Sequence, residues 1–217
     1  MIIPLLPLYI AGVFAAMAAD GSVFTTLHAF GRVLLLVVVM HWAWLSLLFV
    51  VTGVLNKRSP LELIRTMLPA YFTALGTMSS AATIPVTLRQ VKAAKISEPI
   101  ANFVVPLCAN IHLSGSTITL VTCSSAVMLM SPGVGLPTLG AMFPFIMMLG
   151  IIMIAAPGAP GGAVMSALGL LTSMLGFNET QVALMIALYL AQDSFGTATN
   201  VTGDAVIAVW MDRFFGK

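Results

Sequence analysis

The sequence predicts an all-α integral membrane fold: two spanning helices followed by an inverted repeat of re-entrant hairpin plus broken transmembrane helix. Three observations carry that prediction. Of 217 residues, 59% are hydrophobic and 7% charged, against about 25% charged in soluble domains. The basic residues cluster at the ends of apolar runs, and each apolar run after residue 60 is interrupted by Gly, Pro, Ser or Asn. The formal charge of +2 is too small to imply a nucleic-acid partner. No polar stretch is long enough for a separate water-soluble domain.

Residues 1–19 form an apolar helix just long enough to cross a bilayer. Ala16-Met17-Ala18 has the look of a signal-peptide cleavage site, but there is no basic n-region and further spans follow. Asp20-Gly21-Ser22 makes a turn, and a second helix covers 24–55. Asn56 to Pro60 closes it, and Ser59-Pro60-Leu61-Glu62 has the pattern of a helix start with a capping box. Residues 61–92 are apolar but broken between Gly76 and Pro85, with the tip expected at Ser79 to Pro85. Lys57, Arg58 and Arg65 precede this segment, and Arg89, Lys92 and Lys95 end or follow it. Under the positive-inside rule both ends belong on the cytoplasmic face, which makes the segment a re-entrant hairpin. Non-helical backbone at that depth survives only inside protein or against a wet cavity.

A long span over 97–130 then runs outward. Its middle, Ala109 to Ser116, is polar and contains glycine, the signature of local unwinding. Cys108 and Cys123 fall on this one span, roughly 22 Å apart at helical rise, too far for a disulfide. Ser131 to Pro137 is an uncharged outer loop. Residues 139–175 are again apolar and broken, at Ala156 to Gly162, and neither flank carries Lys or Arg, so this second hairpin enters from outside. The last helix, 178–215, runs inward and ends at Arg213 and Lys217. Paired interruptions in two oppositely oriented halves point to a secondary transporter with a midplane site. The alternative is a helix bundle with Gly/Pro kinks, which are frequent in membrane helices.

The last helix carries Gln192-Asp193-Ser194, Thr197, Asn200, Thr202 and Asp204 inside its hydrophobic run. A carboxylate at the bilayer centre costs about 2.5–3.5 kcal/mol on insertion scales. Two of them imply the handling of an ion or polar solute. Asp193, Gly196/Thr197, Asn200 and Asp204 recur at three- and four-residue steps, on one helical stripe facing one cavity.

On these residues the chain resembles the dicarboxylate/amino acid:cation symporter family, the glutamate-transporter fold. The motifs are Ser79-Ser80 with Thr83-Ile84-Pro85-Val86-Thr87, and Asn200-Val201-Thr202-Gly203-Asp204. Ile96-Ser97-Glu98 and Pro157-Gly158-Ala159-Pro160-Gly161 support them. The resemblance implies sodium- or proton-coupled uptake by an elevator motion, hairpin tips that gate, homotrimeric assembly and a multi-pass place in the cell inner (plasma) membrane. It begins at the fifth of the family's eight helices. Residues 1–19 are then scaffold-like and 20–217 belong to the transport domain. The chain is read as a carrier or as its C-terminal half, which assembles with a missing N-terminal half. A non-transporting fragment and an ion channel are the competing readings; a dicarboxylate carrier is a further one.

By the same resemblance, Asp204 and Asn200 are sodium ligands, helped by backbone carbonyls that unwinding of the last helix frees, with Cys108, Asn110 and His112 in the metal set. Asp193 and Thr197 hold a substrate amino group. Ser79, Ser80, Ser116, Gly158, Ala159 and Asn200 complete the substrate set, the tips binding a carboxylate through backbone N–H groups. His112-Leu113-Ser114-Gly115-Ser116 departs from the family's Asn-Met-Asp-Gly-Thr, so the aspartate of one sodium site is replaced by Ser114. His112, which titrates near neutrality, is an alternative proton carrier or a neutral ring bonded to a backbone carbonyl. Asp204 as a packing group and Asp193 as the cap of a neighbouring helix remain open beside their ligand roles. Gly196 and Met78 stand where acidic-substrate members place Arg, which leaves a side-chain carboxylate without a partner. The expected solute is therefore a small neutral amino acid, and Gln192-Asp193-Ser194 resembles the serine/threonine branch. The fifteen methionines read as packing. No Walker loop or haem motif appears, and Ser114 lacks the preceding Gly of a nucleophile elbow, so no enzyme activity is expected.

Overall fold

The computed structural model describes residues 6–19, 21, 23–131, 135 and 138–216. The expected turn residues Asp20 and Ser22, most of the 131–137 loop, the first five residues and Lys217 lie outside them. Among the described residues there are ten helices and no strand: α1 (Leu6–Ala19), α2 (Val23–Leu55), α3 (Pro60–Thr77), α4 (Ser80–Ala93), α5 (Glu98–Ile111), α6 (Ser114–Met130), α7 (Leu139–Met153), α8 (Gly162–Leu175), α9 (Glu179–Leu190) and α10 (Asp193–Phe215). The stretches 26–55 and 98–130 are long and apolar enough to cross a bilayer. Large apolar side chains such as Leu35, Phe72, Phe103 and Ile151 face outward, as lipid contact permits and water does not.

α3 and α4 form a hairpin with a short turn. Ser59 accepts from the Glu62 N–H at the start of α3 (3.3 Å), and Met78 ends it in the left-handed region. Ser79 then opens α4 by accepting from the Ala82 N–H (3.2 Å). The tip is therefore Met78–Ser79, shorter than the expected run from Ser79 to Pro85, and Pro85 lies inside α4. The backbone cap of Met78 and the side-chain cap of Ser79 on adjacent residues restart the helix at once, and a membrane helix tolerates the one bond that Pro85 removes. The open end closes on itself, with Arg58 donating to the carbonyls of Ala94 (2.7 Å) and Lys95 (3.3 Å).

α7 and α8 make the second hairpin, joined over 154–161. Gly161 is left-handed (φ 72°), and a Cβ on Gly162 would lie 2.2 Å from the Pro157 carbonyl, so only glycine fits that turn. Asn178 and Gln181 cap α9 reciprocally. Gln181 also donates to Ser131 (2.9 Å), which places the start of α9 at the far end of α6. The two hairpins therefore open at opposite ends of the bundle.

α5–α6 and α9–α10 are the broken helices. They pass each other antiparallel, tied by Ser97 with Asp212, His112 with Asp204, Ser116 with Asn200, and Cys123 with Gln192. The first pair breaks at His112–Leu113. The second breaks at Ala191–Gln192, ahead of Asp193, so Asn200 to Asp204 sits in regular helix. The expectation that unwinding there frees carbonyls for an ion does not hold, because α10 is buried from Gly196 to Val206 and packing sustains the helix. Cys108 and Cys123 are free and buried.

The antiparallel pair needs a small residue at its crossing. A Cβ on Gly115 would lie 2.4 Å from the Gly196 carbonyl and 2.7 Å from Thr199 Cβ. Overpacking of this kind costs about 1–3 kcal/mol. Gly115→Ala is expected to lower the melting temperature by several degrees in a detergent thermal-unfolding assay. An unchanged melting temperature would mean that the two helices do not meet as closely as described.

Candidate functional site

The hairpin tips and both helix breaks converge on the middle of the bundle. Ser79 Oγ donates to the Gly158 carbonyl (2.7 Å), and the Ala81 N–H donates to the same oxygen (3.2 Å). Behind this contact lies a cavity lined by Ser80, Ser116, Gly158, Ala159, Asp193, Thr197 and Asn200, with Met78, Leu113, Pro157, Ala163 and Tyr189. Seven of the eight expected substrate residues line it, and Ser79 forms its lid. The space open to the centre of a water-sized sphere is about 10 Å³, near the minimum for one water and far below an amino acid.

Asp193 opens α10 and is buried. One of its oxygens accepts from the Gly161 N–H at the start of α8 (2.7 Å). It therefore does cap a neighbouring helix, one of the two readings left open by the sequence. The hydroxyls of Tyr189 and Thr197 stand beside it, one helical turn to either side. The Tyr189 hydroxyl is buried, with Asp193 and Ser116 as its polar neighbours. These donors are neutral, and a buried carboxylate without a counter-charge is costly, so a cation in the cavity would offset that cost.

Asn200 reaches across from α10 to the start of α6, which has no side-chain cap of its own. Its Oδ1 accepts from the N–H groups of Gly115 (2.7 Å) and Ser116 (3.3 Å), and its Nδ2 donates to Ser116 Oγ (2.9 Å). The break in α5–α6 thus has its exposed donors satisfied by the opposite broken helix.

One turn further along, Asp204 Oδ1 pairs with His112 Nδ1 at 2.9 Å. The ring meets a carboxylate, not the backbone carbonyl of the blander reading. A Cβ on Gly203 would fall 2.5 Å from His112 Cε1, so the glycine of the Asn200–Asp204 motif lets the ring lie against α10.

Several of the five expected metal residues have partners within the protein. Asn110 Oδ1 accepts from the Gly158 N–H (3.4 Å), and Asn200 is committed to α6. The Cys108 thiol lies within electrostatic reach of Asp204, but no group of three or more His, Cys, Asp or Glu residues converges among the described residues. The oxygen donors Asp204 and Asn200 suit a hard cation, while the imidazole of His112 does not. The buried hydroxyls of Ser114 and Thr202, on the same two helices, lack partners and supply further unused oxygens.

Two residues were not singled out from sequence. His41 is buried on α2, with Nε2 3.0 Å from the Gly115 carbonyl and 3.2 Å from Thr119 Oγ1. An ionisable residue inside an apolar span was the available signal. Tyr189 carried only its four-residue spacing from Asp193. Gly196, where an arginine was missed, does not line the cavity: a Cβ there would lie 3.3 Å from Thr119 Oγ1, so glycine also serves the approach of α10 to α6.

Comparison with known proteins gives this geometry a context. The family described as "Sodium:dicarboxylate symporter family" matches residues 1–214. The chain is 31% identical over 155 residues to "Excitatory amino acid transporter 5" of Homo sapiens, covering 71% of this chain and 27% of that protein. It is 29% identical over 163 residues to an excitatory amino acid transporter of Caenorhabditis elegans, covering 75% of this chain and 31% of that protein. It is 32% identical over 191 residues to an uncharacterized symporter of Haemophilus influenzae, covering 83% of this chain and 42% of that protein. The chain thus spans less than half the length of these relatives.

Proposed function

This chain belongs to the sodium:dicarboxylate symporter family, and on that premise we propose that its polar centre carries a small neutral amino acid, coupled to sodium. The observation that supports this best is the buried Asp193 carboxylate in a cavity roofed by two touching hairpin tips. A fixed carboxylate suits the ammonium of an amino acid. Ser80, Ser116 and the backbone of Gly158 and Ala159 then face its carboxylate. Asp204 holds the coupling ion, with the Ser114 and Thr202 hydroxyls as further oxygens, and the ion supplies positive charge beside the substrate; Asn200 fixes the break of α5–α6 next to it and His112 orients Asp204.

The cavity is too small for an amino acid while Gly158 holds both Ser79 and Ala81. Entry therefore requires the tips to part, and their contact acts as a gate. The hairpins are re-entrant in this reading, each opening toward one face of the membrane. Movement of the centre across the bilayer needs a stationary partner, supplied by self-association as a trimer or by helices outside this sequence.

Neutrality of the solute rests on Met78, which lines the cavity, and on the lack of any Lys or Arg along it. Purified protein is expected to bind serine, threonine or alanine in a sodium-dependent way, with aspartate and succinate at least tenfold weaker, the cost of one unpaired carboxylate. Isothermal titration in sodium and in choline reads this directly. Tight aspartate binding without serine binding would refute the substrate class. Sodium currents in proteoliposomes without any amino acid would instead favour a channel.

A further inference from the structure

The basic end of the bundle holds a second cavity, remote from the polar centre. It measures about 270 Å³ and lies between the α2–α3 and α4–α5 turns. Lys57, Arg58 and Lys95 line it, with Glu62 as its one acid. An adjoining cavity of about 320 Å³ shares Lys57 and Arg58 and adds Arg213 and Asp212. Asp212 is engaged by the Ser97 N–H and hydroxyl. Lys92, nearby, is taken by Glu98 (2.6 Å). Neither Lys57 nor Lys95 makes an ion pair among the described residues. Arg58 spends two donors on the Ala94 and Lys95 carbonyls and keeps the rest of its five.

The backbone at these lysines is unusual. Lys57 (φ 55°) and Lys95 (φ 60°) are two of the three non-glycine residues in the left-handed region among those described. That conformation costs roughly 1–2 kcal/mol for an ordinary residue and usually falls to Gly or Asn. Two separate turns bear this cost with a lysine, and both lysines face one cavity. Both follow a helix end, where a left-handed residue caps the last turn, and the two caps bring both lysines to the same rim.

The surroundings choose the source of that anion. Val54, Leu55 and Leu61 are exposed immediately beside Lys57 and Arg58. Cations at the rim with bare aliphatic side chains next to them match a headgroup with its acyl chains alongside. A soluble phosphate would have no use for the apolar border. We infer that the Lys57–Arg58–Lys95 cavity seats the phosphate of an anionic phospholipid at the cytoplasmic face. Basic pockets between transmembrane helices on that face commonly take such headgroups.

The test does not depend on transport, so it stands or falls separately from the function proposed above. The purified chain is titrated in detergent with phosphatidylglycerol, phosphatidylcholine or inorganic phosphate, and bound lipid is read by native mass spectrometry. Wild type is expected to retain phosphatidylglycerol over phosphatidylcholine. The double variant Lys57→Asn/Lys95→Asn should bind it roughly thirtyfold more weakly, the loss of two surface cations. Asn tolerates the left-handed region, so the variant should melt no lower than wild type. Arg65→Gln, off the cavity, should leave retention unchanged. Equal retention by the double variant, or equal loss in Arg65→Gln, overturns the site. Inorganic phosphate that displaces nothing supports the lipid; phosphate that binds as well as phosphatidylglycerol overturns the lipid assignment.

Discussion

Asp204→Asn is expected to weaken sodium-dependent substrate binding by roughly thirtyfold or more while the fold survives. Removing one charge from a buried, hydrogen-bonded pair costs about 2–5 kcal/mol, and each 1.4 kcal/mol is tenfold in affinity. Asp204 is almost wholly buried, and among the described residues its carboxylate is hydrogen-bonded to His112 alone. Asparagine keeps the shape and an acceptor for the ring, so the antiparallel packing of α10 on α5–α6 is retained. What is lost is the negative charge that a sodium ion would neutralise. The measurement is a sodium titration of serine binding by the purified variant, with a melting curve beside it. Wild-type sodium affinity with an intact fold would remove Asp204 from the ion site. A collapse of the melting temperature would instead assign it to packing, the bland reading open at the level of sequence.

Much of the architecture was legible because membrane sequences state their constraints openly. Lys57, Arg58, Arg89, Lys92 and Lys95 gave both ends of the first hairpin one side, and the structure closes those ends together through Arg58 and Ala94. Glycine and proline marked the second hairpin turn. Polarity marked the first break at Ala109 to Ser116, and the polar run Gln192-Asp193-Ser194 stands at the second, at Ala191–Gln192, where it read as a ligand stripe and not as a break. Asn200 to Asp204 carried the right residues for an unwound segment, yet packing on several sides keeps it helical. The stripe Asp193, Thr197, Asn200 was visible as a helical repeat, and these residues share the central cavity. What each side chain binds was not visible. Asn200 caps α6, Asp193 takes the Gly161 N–H and His112 finds Asp204, because those partners lie 32 to 92 positions away in sequence. Gly196 read as a specificity position from sequence; the close approach of Thr119 gives it a packing reason as well.

Gly158→Ala is expected to cut uptake at least tenfold by holding the hairpin tips apart. A Cβ at 158 would sit 2.5 Å from the Ala109 carbonyl, a backbone atom at the end of α5 that cannot rotate away. Relief must come from moving the second hairpin's tip. That displaces the Gly158 carbonyl, which accepts from Ser79 Oγ and from the Ala81 N–H, and the Gly158 N–H, which faces Asn110. Overpacking costs about 1–3 kcal/mol, and about the same again is at stake in the bonds to Gly158. The tips then close poorly over Asp193 and Ser116, so substrate escapes and water enters. Gly169→Ala in the same hairpin is the control: it meets nothing within 4 Å and adds a better helix former to α8. The paired experiment measures serine binding and sodium-driven uptake for both variants, reconstituted with whatever partner wild type needs. Loss in Gly158→Ala with normal Gly169→Ala places the tip contact in the transport cycle. Equal uptake by both would mean that the contact between Ser79 and Gly158 is not one the carrier must remake.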